Sequence, residues 1–271
     1  MNITNLNRQL LILTLCCLSA GTALYFYLRS NQPSPQPNTT ASQPPLIVGT
    51  ASGYAPFVSI NAQGQYEGFD INVAQALAQQ LNRPLEMRDL GAMAPLFLAL
   101  EQGTIDVIIW GLSITPERLQ KVAMVHYWGD ATKAFPLIFW QQIPTHVKTI
   151  NDMANLTVCV EPTSVQDSVL SKYPCINRKF TERVDDALLN IKYGKAAAAF
   201  VEPAIAQKFK RKYPEIQLLN VPLAPIDQIQ GLGIAVKSSN LVLIKQIQAA
   251  VQKLTATGAL KNFAEQWGIV D

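Results

Sequence analysis

Gly103-Thr104-Ile105-Asp106-Val107-Ile108-Ile109-Trp110-Gly111-Leu112-Ser113-Ile114-Thr115-Pro116-Glu117-Arg118 sets the pattern of the whole chain. The ten residues before it, 93–102, read as a helix, and Gly103 stands just past the end, where a left-handed residue stops one. Ile105-Asp106-Val107-Ile108-Ile109 is a short apolar run of the kind that forms a buried strand. Thr115-Pro116-Glu117 then places an N-cap, a first-turn proline and an acid at the positive end of a new helix. Helix, strand and helix follow one another with short connections.

The same alternation extends outward. Upstream, Leu46-Ile47-Val48-Gly49-Thr50 reads as a buried strand, and 70–81 puts Ile71, Ala74, Leu77, Ala78 and Leu81 on one helical face. Downstream come a strand at 156–160, a helix from Ser164, a strand over 175–180 and a helix marked by Val184, Leu188 and Ile191 that Gly194 closes. A strand at 196–201, a helix to Lys212, strands at 216–219 and 231–236 and two helices ending near Trp267 complete the order. This is an α/β chain with mostly parallel sheets. About 225 folded residues exceed what one small doubly wound sheet needs, so two lobes are expected.

The region before residue 46 is different in kind. Leu10–Leu28 carries no charge for 19 residues, enough to cross about 30 Å of hydrocarbon, and Arg8 and Arg29 bracket it. A cleaved signal has an apolar run of about 7–15 residues, and the best cleavage site, Gly21-Thr22-Ala23, would leave Leu-Tyr-Phe-Tyr-Leu exposed. Leu15 before Cys16 does not suit a lipoprotein signal. An uncleaved membrane anchor is therefore expected, with cleavage as the alternative. Residues 30–45 hold five prolines and no charge, an extended spacer that cannot pack.

The 271 residues hold 22 Lys+Arg and 19 Asp+Glu. With Arg8 and Arg29 set aside, the remainder sits at 20 − 19 = +1, which argues against a nucleic-acid binder. There is no phosphate-binding glycine loop, no G-x-S-x-G, no H-E-x-x-H and no Cys-x-x-Cys. His126 and His146 lack metal-ligand spacing, so neither a metal nor a cofactor is expected. Cys159 and Cys175 fall on consecutive expected strands, and a possible disulfide between them stands beside two buried thiols.

The runs Gly49-Thr50-Ala51-Ser52-Gly53-Tyr54-Ala55-Pro56-Phe57, Gly68-Phe69-Asp70, Gly103-Thr104-Ile105-Asp106-Val107 and Ser113-Ile114-Thr115-Pro116-Glu117-Arg118 resemble, in order and spacing, the extracytoplasmic solute-binding proteins of polar amino-acid ABC transporters (bacterial solute-binding protein family 3). The resemblance covers 46–271 and implies a periplasmic-binding-protein fold of two α/β lobes joined by two hinge strands. Lobe one would be 46–129 with 232–271, and lobe two 134–226. It further implies a monomer that closes on a free amino acid and delivers it to permease subunits in the membrane.

Carried over by position, Arg118 would clamp the ligand's α-carboxylate, for which a guanidinium offers paired donors. Ser113 and the backbone of Gly111 and Ser113 would add hydrogen bonds, and Thr163 and Ser164 would present a helix start to the anion. Tyr54 would cover the ligand's side chain and Phe57 support its loop, while Asp70 is expected to cap its own helix. Three departures from the family pattern stand out. Ala51 replaces an acid found in members that bind cationic amino acids. Trp110 replaces a small residue, and either narrows the pocket or turns into the core. Counting without gaps from Gly194 puts Glu202 where the family has an ammonium-gripping aspartate, whereas a one-residue slip would put Val201 there. A periplasmic cyclohexadienyl (arogenate or prephenate) dehydratase, with Glu202 as general acid beside Trp110, is the competing enzymatic reading. A tethered sensory module is a third.

Overall fold

The computed structural model describes residues 43–269. The anchor at 10–28 and nearly all of the spacer lie outside the described residues. Among those described, no helix is long and apolar enough to cross a membrane. The last two spacer residues are held by Arg83, which donates to the carbonyls of Pro44 (2.8 Å) and Pro45 (2.6 Å) and pairs with Asp106.

The chain runs β1 (Leu46–Thr50), β2 (Ser59–Ile60), β3 (Tyr66–Glu67), α1 (Phe69–Gln80), β4 (Leu85–Asp89), α2 (Met93–Gln102), β5 (Val107–Ile108) and α3 (Pro116–Lys121). Two long strands follow, β6 (Ala123–Thr132) and β7 (Ala134–Phe139). Next are β8 (Thr157–Val160), α4 (Val165–Leu170), β9 (Asn177–Phe180), α5 (Val184–Lys192), β10 (Ala198–Phe200), α6 (Pro203–Lys212) and β11 (Gln217–Pro222). The chain ends with β12 (Ile229–Val236), α7 (Leu241–Ala256) and α8 (Ala259–Trp267). The local signals act as read: Gly103 caps α2 at φ 73°, and the Thr115 side chain accepts the Arg118 N–H at 3.1 Å to open α3.

Two five-stranded sheets form, β4-β1-β5-β12-β6 and β11-β7-β10-β8-β9. They are mixed rather than mostly parallel. β1 pairs with β4 and β5, and β8 with β9 and β10, in parallel, while β6, β7, β11 and β12 pair antiparallel. The antiparallel strands are those that carry the chain between the sheets, β6 into β7 on the way out and β11 toward β12 on the return. A strand that crosses and comes back must run against its neighbour. At the crossing Gly129 and Gly231 face each other. A Cβ on Gly231 would stand 2.4 Å from the Gly129 carbonyl and 2.7 Å from that of Trp128, so only glycine fits.

The second sheet shows period-two packing clearly. Phe135, Leu137 and Phe139 of β7, with Val158, Val160, Ala198 and Phe200, face one cluster under α4. Ile138, Cys159 and Ala199 face the opposite cluster under α5 and α6. Alanines in β10 leave room for helices on both faces.

Cys159 and Cys175 do not form the disulfide that their expected strands allowed. Cys159 is a buried free thiol and Cys175 an exposed one. The β8–β9 register pairs Cys159 with Lys179, and the Cys175 carbonyl accepts the N–H of Asn155 before β9 begins. Four residues along a strand span roughly 13 Å, beyond the separation a disulfide bridges.

Candidate functional site

The site gathers at the ends of strands, where the connecting loops of the two sheets meet. From the first sheet comes the segment after β5. Arg118, in the first turn of α3, is 8% exposed. Its Nη1 donates to the Ser113 carbonyl at 2.8 Å and its Nη2 lies 3.1 Å from the Met93 sulfur. Among the described residues it makes no ion pair with any carboxylate. Burial lowers the Arg118 pKa while Glu202 and Glu161 oppose that shift, and a guanidinium remains charged.

The loop leading to Arg118 is braced from behind. Gly111 takes φ 53°, and a Cβ there would press on Phe57 and Tyr54 at 3.0 Å. Its N–H donates to Asp70 Oδ2, and Tyr127 donates to Asp70 Oδ1 at 2.6 Å. Asp70 therefore does not cap α1 as expected. Gly68 is the N-cap, and Asp70 reaches away to tie the loop to β6. Burial raises the Asp70 carboxyl to about 7, against the pull of these two donors. The Gly111 N–H is thus engaged inside the protein, so of its backbone groups the carbonyl is the one left to meet a ligand.

Tyr54, Phe57 and Trp110 make an aromatic wall, with Tyr54 centred 5.6 Å from Phe57 and 5.2 Å from Trp110. Trp110 meets both of its alternatives. It is buried in the core, and it also lines the cleft with an indole N–H that has no hydrogen-bond partner. Ala51 is buried and brings no charge.

From the second sheet come two loops. After β8, Glu161, Pro162, Thr163 and Ser164 lead into α4. Ser164 caps it, accepting the Asp167 N–H at 3.1 Å and donating to the Glu161 carbonyl at 2.7 Å. Thr163 holds φ 61°, unusual for a β-branched residue, and its N–H goes to Asp167. After β10, Glu202 sits at the N-cap of α6, with Pro203 at the first helical position, and its side chain makes no cap hydrogen bond. The Glu202 carboxylate instead accepts a hydrogen bond from Ser113 Oγ at 3.2 Å, between the two sheets' loops. Of the two candidates for that slot, the geometry puts Glu202, not Val201, against Ser113.

Three residues in this cleft escaped the sequence reading: Met93, Glu161 and Gln166. Glu161 follows the C-terminal end of a strand, the usual ligand-facing edge of an α/β sheet, and that signal was available. Its Oε1 is shut off from solvent without a partner, as is the Gln166 amide nitrogen. Burial pushes Glu161 up to about 8, opposed by Arg118 and reinforced by Glu202 and Glu182. Glu202 is also raised by burial, against the nearby Gln166 amide, Ser113 and Arg118. Two small adjoining spaces, nearly filled by the side chains around them, run through Tyr54, Glu161, Gln166 and Glu202. An outer mouth is lined by Thr115, Glu117, Thr163, Ser168 and Asp227.

Comparison with known proteins agrees with this architecture. A probable ABC transporter arginine-binding protein ArtJ of Chlamydia trachomatis is 30% identical over 224 residues, 83% of this chain and 86% of that one. ABC transporter arginine-binding protein 1 of Escherichia coli is 25% identical over 81% of this chain and 88% of its own. A solved mutant of ArgBP from T. maritima superposes with a TM-score of 0.73 at 29% identity, covering 82% of this chain and 94% of that one. These relatives are binding proteins of transporters rather than enzymes, which sets aside the dehydratase reading. The profile of bacterial extracellular solute-binding proteins, family 3, matches residues 46–270, the whole two-sheet region. The chain belongs to that family.

Proposed function

We propose that this protein binds a free amino acid, arginine before others, by closing its two lobes, and hands it to the permease of an ABC transporter. The observation that carries the reading is Arg118, a buried guanidinium whose contacts are a carbonyl and a thioether. Leaving such a charge unpaired in the interior is costly. An α-carboxylate is the natural partner, taking two parallel donors. The ligand's ammonium then falls between Ser113 Oγ and Glu202, which already meet across the cleft, and Thr163 and Ser164 close over the carboxylate from the second lobe. The glycine pair at the crossing supports a hinge, and contacts from both lobes favour the closed state. Arginine is preferred because relatives from Chlamydia trachomatis and Escherichia coli carry that ligand in their names.

A thermal-shift screen of the twenty amino acids against the full-length protein tests this. A ligand at 100 times its Kd adds about 2.7 kcal/mol, so arginine should give the largest rise in Tm, and no rise with any amino acid would overturn the reading. The protein works as a monomer beside the membrane, held by Leu10–Leu28. It should stay with membranes through high salt and carbonate. A soluble form beginning near residue 24 would mean that the segment is cleaved.

A further inference from the structure

We infer that Glu161 is the residue that selects a cationic side chain, in place of the acid that Ala51 lacks. The inference rests on the amino-acid-binding reading and adds to it the group that distinguishes one amino acid from another.

Charge balance leads to it. The cleft holds one buried guanidinium, Arg118, and two carboxyls, Glu161 and Glu202, a formal sum of −1 with both acids ionised. An amino acid with a neutral side chain is a zwitterion of zero net charge and leaves that −1 in place. One with a cationic side chain brings +1 and cancels it. Closing a cleft over an uncancelled charge is expensive, so closure over a neutral side chain keeps the proton on Glu161 and closure over a cationic one drives it off.

Geometry assigns the roles. Glu202 is engaged by Ser113 on the first lobe, at the end where Arg118 also touches Ser113. Those three make the end that grips the groups common to all amino acids. Glu161 lines the same space as that cluster but shares no hydrogen bond with it, and its buried Oε1 accepts none from the protein. Its backbone is fixed, because Ser164 Oγ donates to its carbonyl at 2.7 Å, so the carboxyl is presented from a rigid turn. Tyr54 and Trp110 share the lining with it, and aromatic faces beside a carboxylate suit a planar guanidinium. The titratable and charged groups around Glu161 are Arg118, Glu202, Tyr54 and, from the surface, Glu182.

Glu161 sits at about 8 without a cation beside it, so at pH 7 it is mostly protonated. A cation favours its ionised form. Arginine binding should therefore release one more proton than binding of citrulline, the neutral isostere, because Glu202 contributes equally to both. Arginine affinity should rise with pH up to about 8 and then level off.

Calorimetry of the full-length protein with arginine and with citrulline, in buffers of different ionisation enthalpy, tests this on wild type and Glu161→Gln. The substitution should cost arginine on the order of 10² in affinity, change citrulline less than about threefold, and abolish the extra proton release. Retained citrulline binding shows that the variant is folded. An unchanged arginine-to-citrulline ratio in Glu161→Gln would overturn the assignment and leave the amino-acid reading standing. A wild type that prefers glutamine or citrulline to arginine would overturn it too, by showing that Glu161 acts as a protonated donor. If the wild type binds no amino acid at all, the underlying reading fails first.

Discussion

The two lobes build their halves of the cleft in different ways. The first places its polar groups on one short segment, Trp110 to Arg118, with Tyr54 and Met93 packed beside it, and braces that segment with a buried carboxyl that ties Gly111 to Tyr127. The second draws on two separate loops, after β8 and after β10, each held by its own helix start. One continuous, braced segment is suited to a fixed task, gripping the carboxylate that every amino acid has. Loops that change one residue at a time are suited to selecting among side chains. On the proposed function the first lobe recognises the class and the second chooses the member.

The largest effect should come from breaking the first lobe's grip. Arg118→Ala is expected to weaken arginine binding by roughly 10²- to 10⁴-fold, the scale of a broken buried ion pair at about 3–5 kcal/mol. The free protein should keep its fold, because Arg118 gives up only a carbonyl and a thioether contact. A loss below threefold by calorimetry would remove the contrast between a common end and a selective end.

A smaller effect separates the lobes by pH. Asp70 titrates at about 7 in the folded protein, well above an unfolded aspartate, because burial disfavours its charge. Between about pH 4 and 7 the native state thus holds a proton that the unfolded chain has lost. Stability falls as pH rises through that window and levels off above it, by at most about 1.4 kcal/mol per pH unit. Asp70→Asn should remove this slope, keeping an acceptor for Gly111 while Tyr127 turns to accept from the amide. Glu161→Gln should remove a slope that continues to about pH 8. Urea unfolding at pH 5, 6, 7 and 8 reads both. Curves parallel to wild type would mean that neither carboxyl is held as the structure places it.

How legible each lobe was follows from the same difference. The first lobe's segment announces itself locally: Gly103 needs a left-handed φ, Thr115 and Pro116 must start a helix, and Arg118 falls one turn inside it. These are short-range rules, and the elements formed within a residue or two of where they were read. Glu202 was reached only by counting from Gly194, and Glu161 not at all, because its one local signal, a place just past a strand end, does not by itself distinguish a cleft glutamate from a solvated one. Its meaning depends on Arg118, 43 positions away in sequence, and on burial that only the closed pair of lobes creates. Asp70 was misread for a related reason. An acid in a first helical turn looks like a cap, and the competing donors, Gly111 and Tyr127, come from distant strands. β6 and β7 were missed because the hinge sequence alternates too weakly to read as strand.

The smallest expected effect concerns the second lobe's cysteines. Reading the strand as beginning at Cys175 put it beside Cys159, but β9 begins at Asn177 and the register sets Lys179 there instead. A disulfide closing a loop of this length would contribute about 3 kcal/mol. Without it, a reducing agent should leave the urea midpoint unchanged. Alkylation of native protein, mapped by mass spectrometry, should label exposed Cys175. Cys159, buried and with its thiol pushed up to about 11, should react only after unfolding, since the thiolate is the nucleophile. A 159–175 cross-linked peptide from unreduced protein would show that the loop before β9 rearranges to bring the two sulfurs together. The second lobe would then carry a covalent brace comparable to the Asp70 tie in the first.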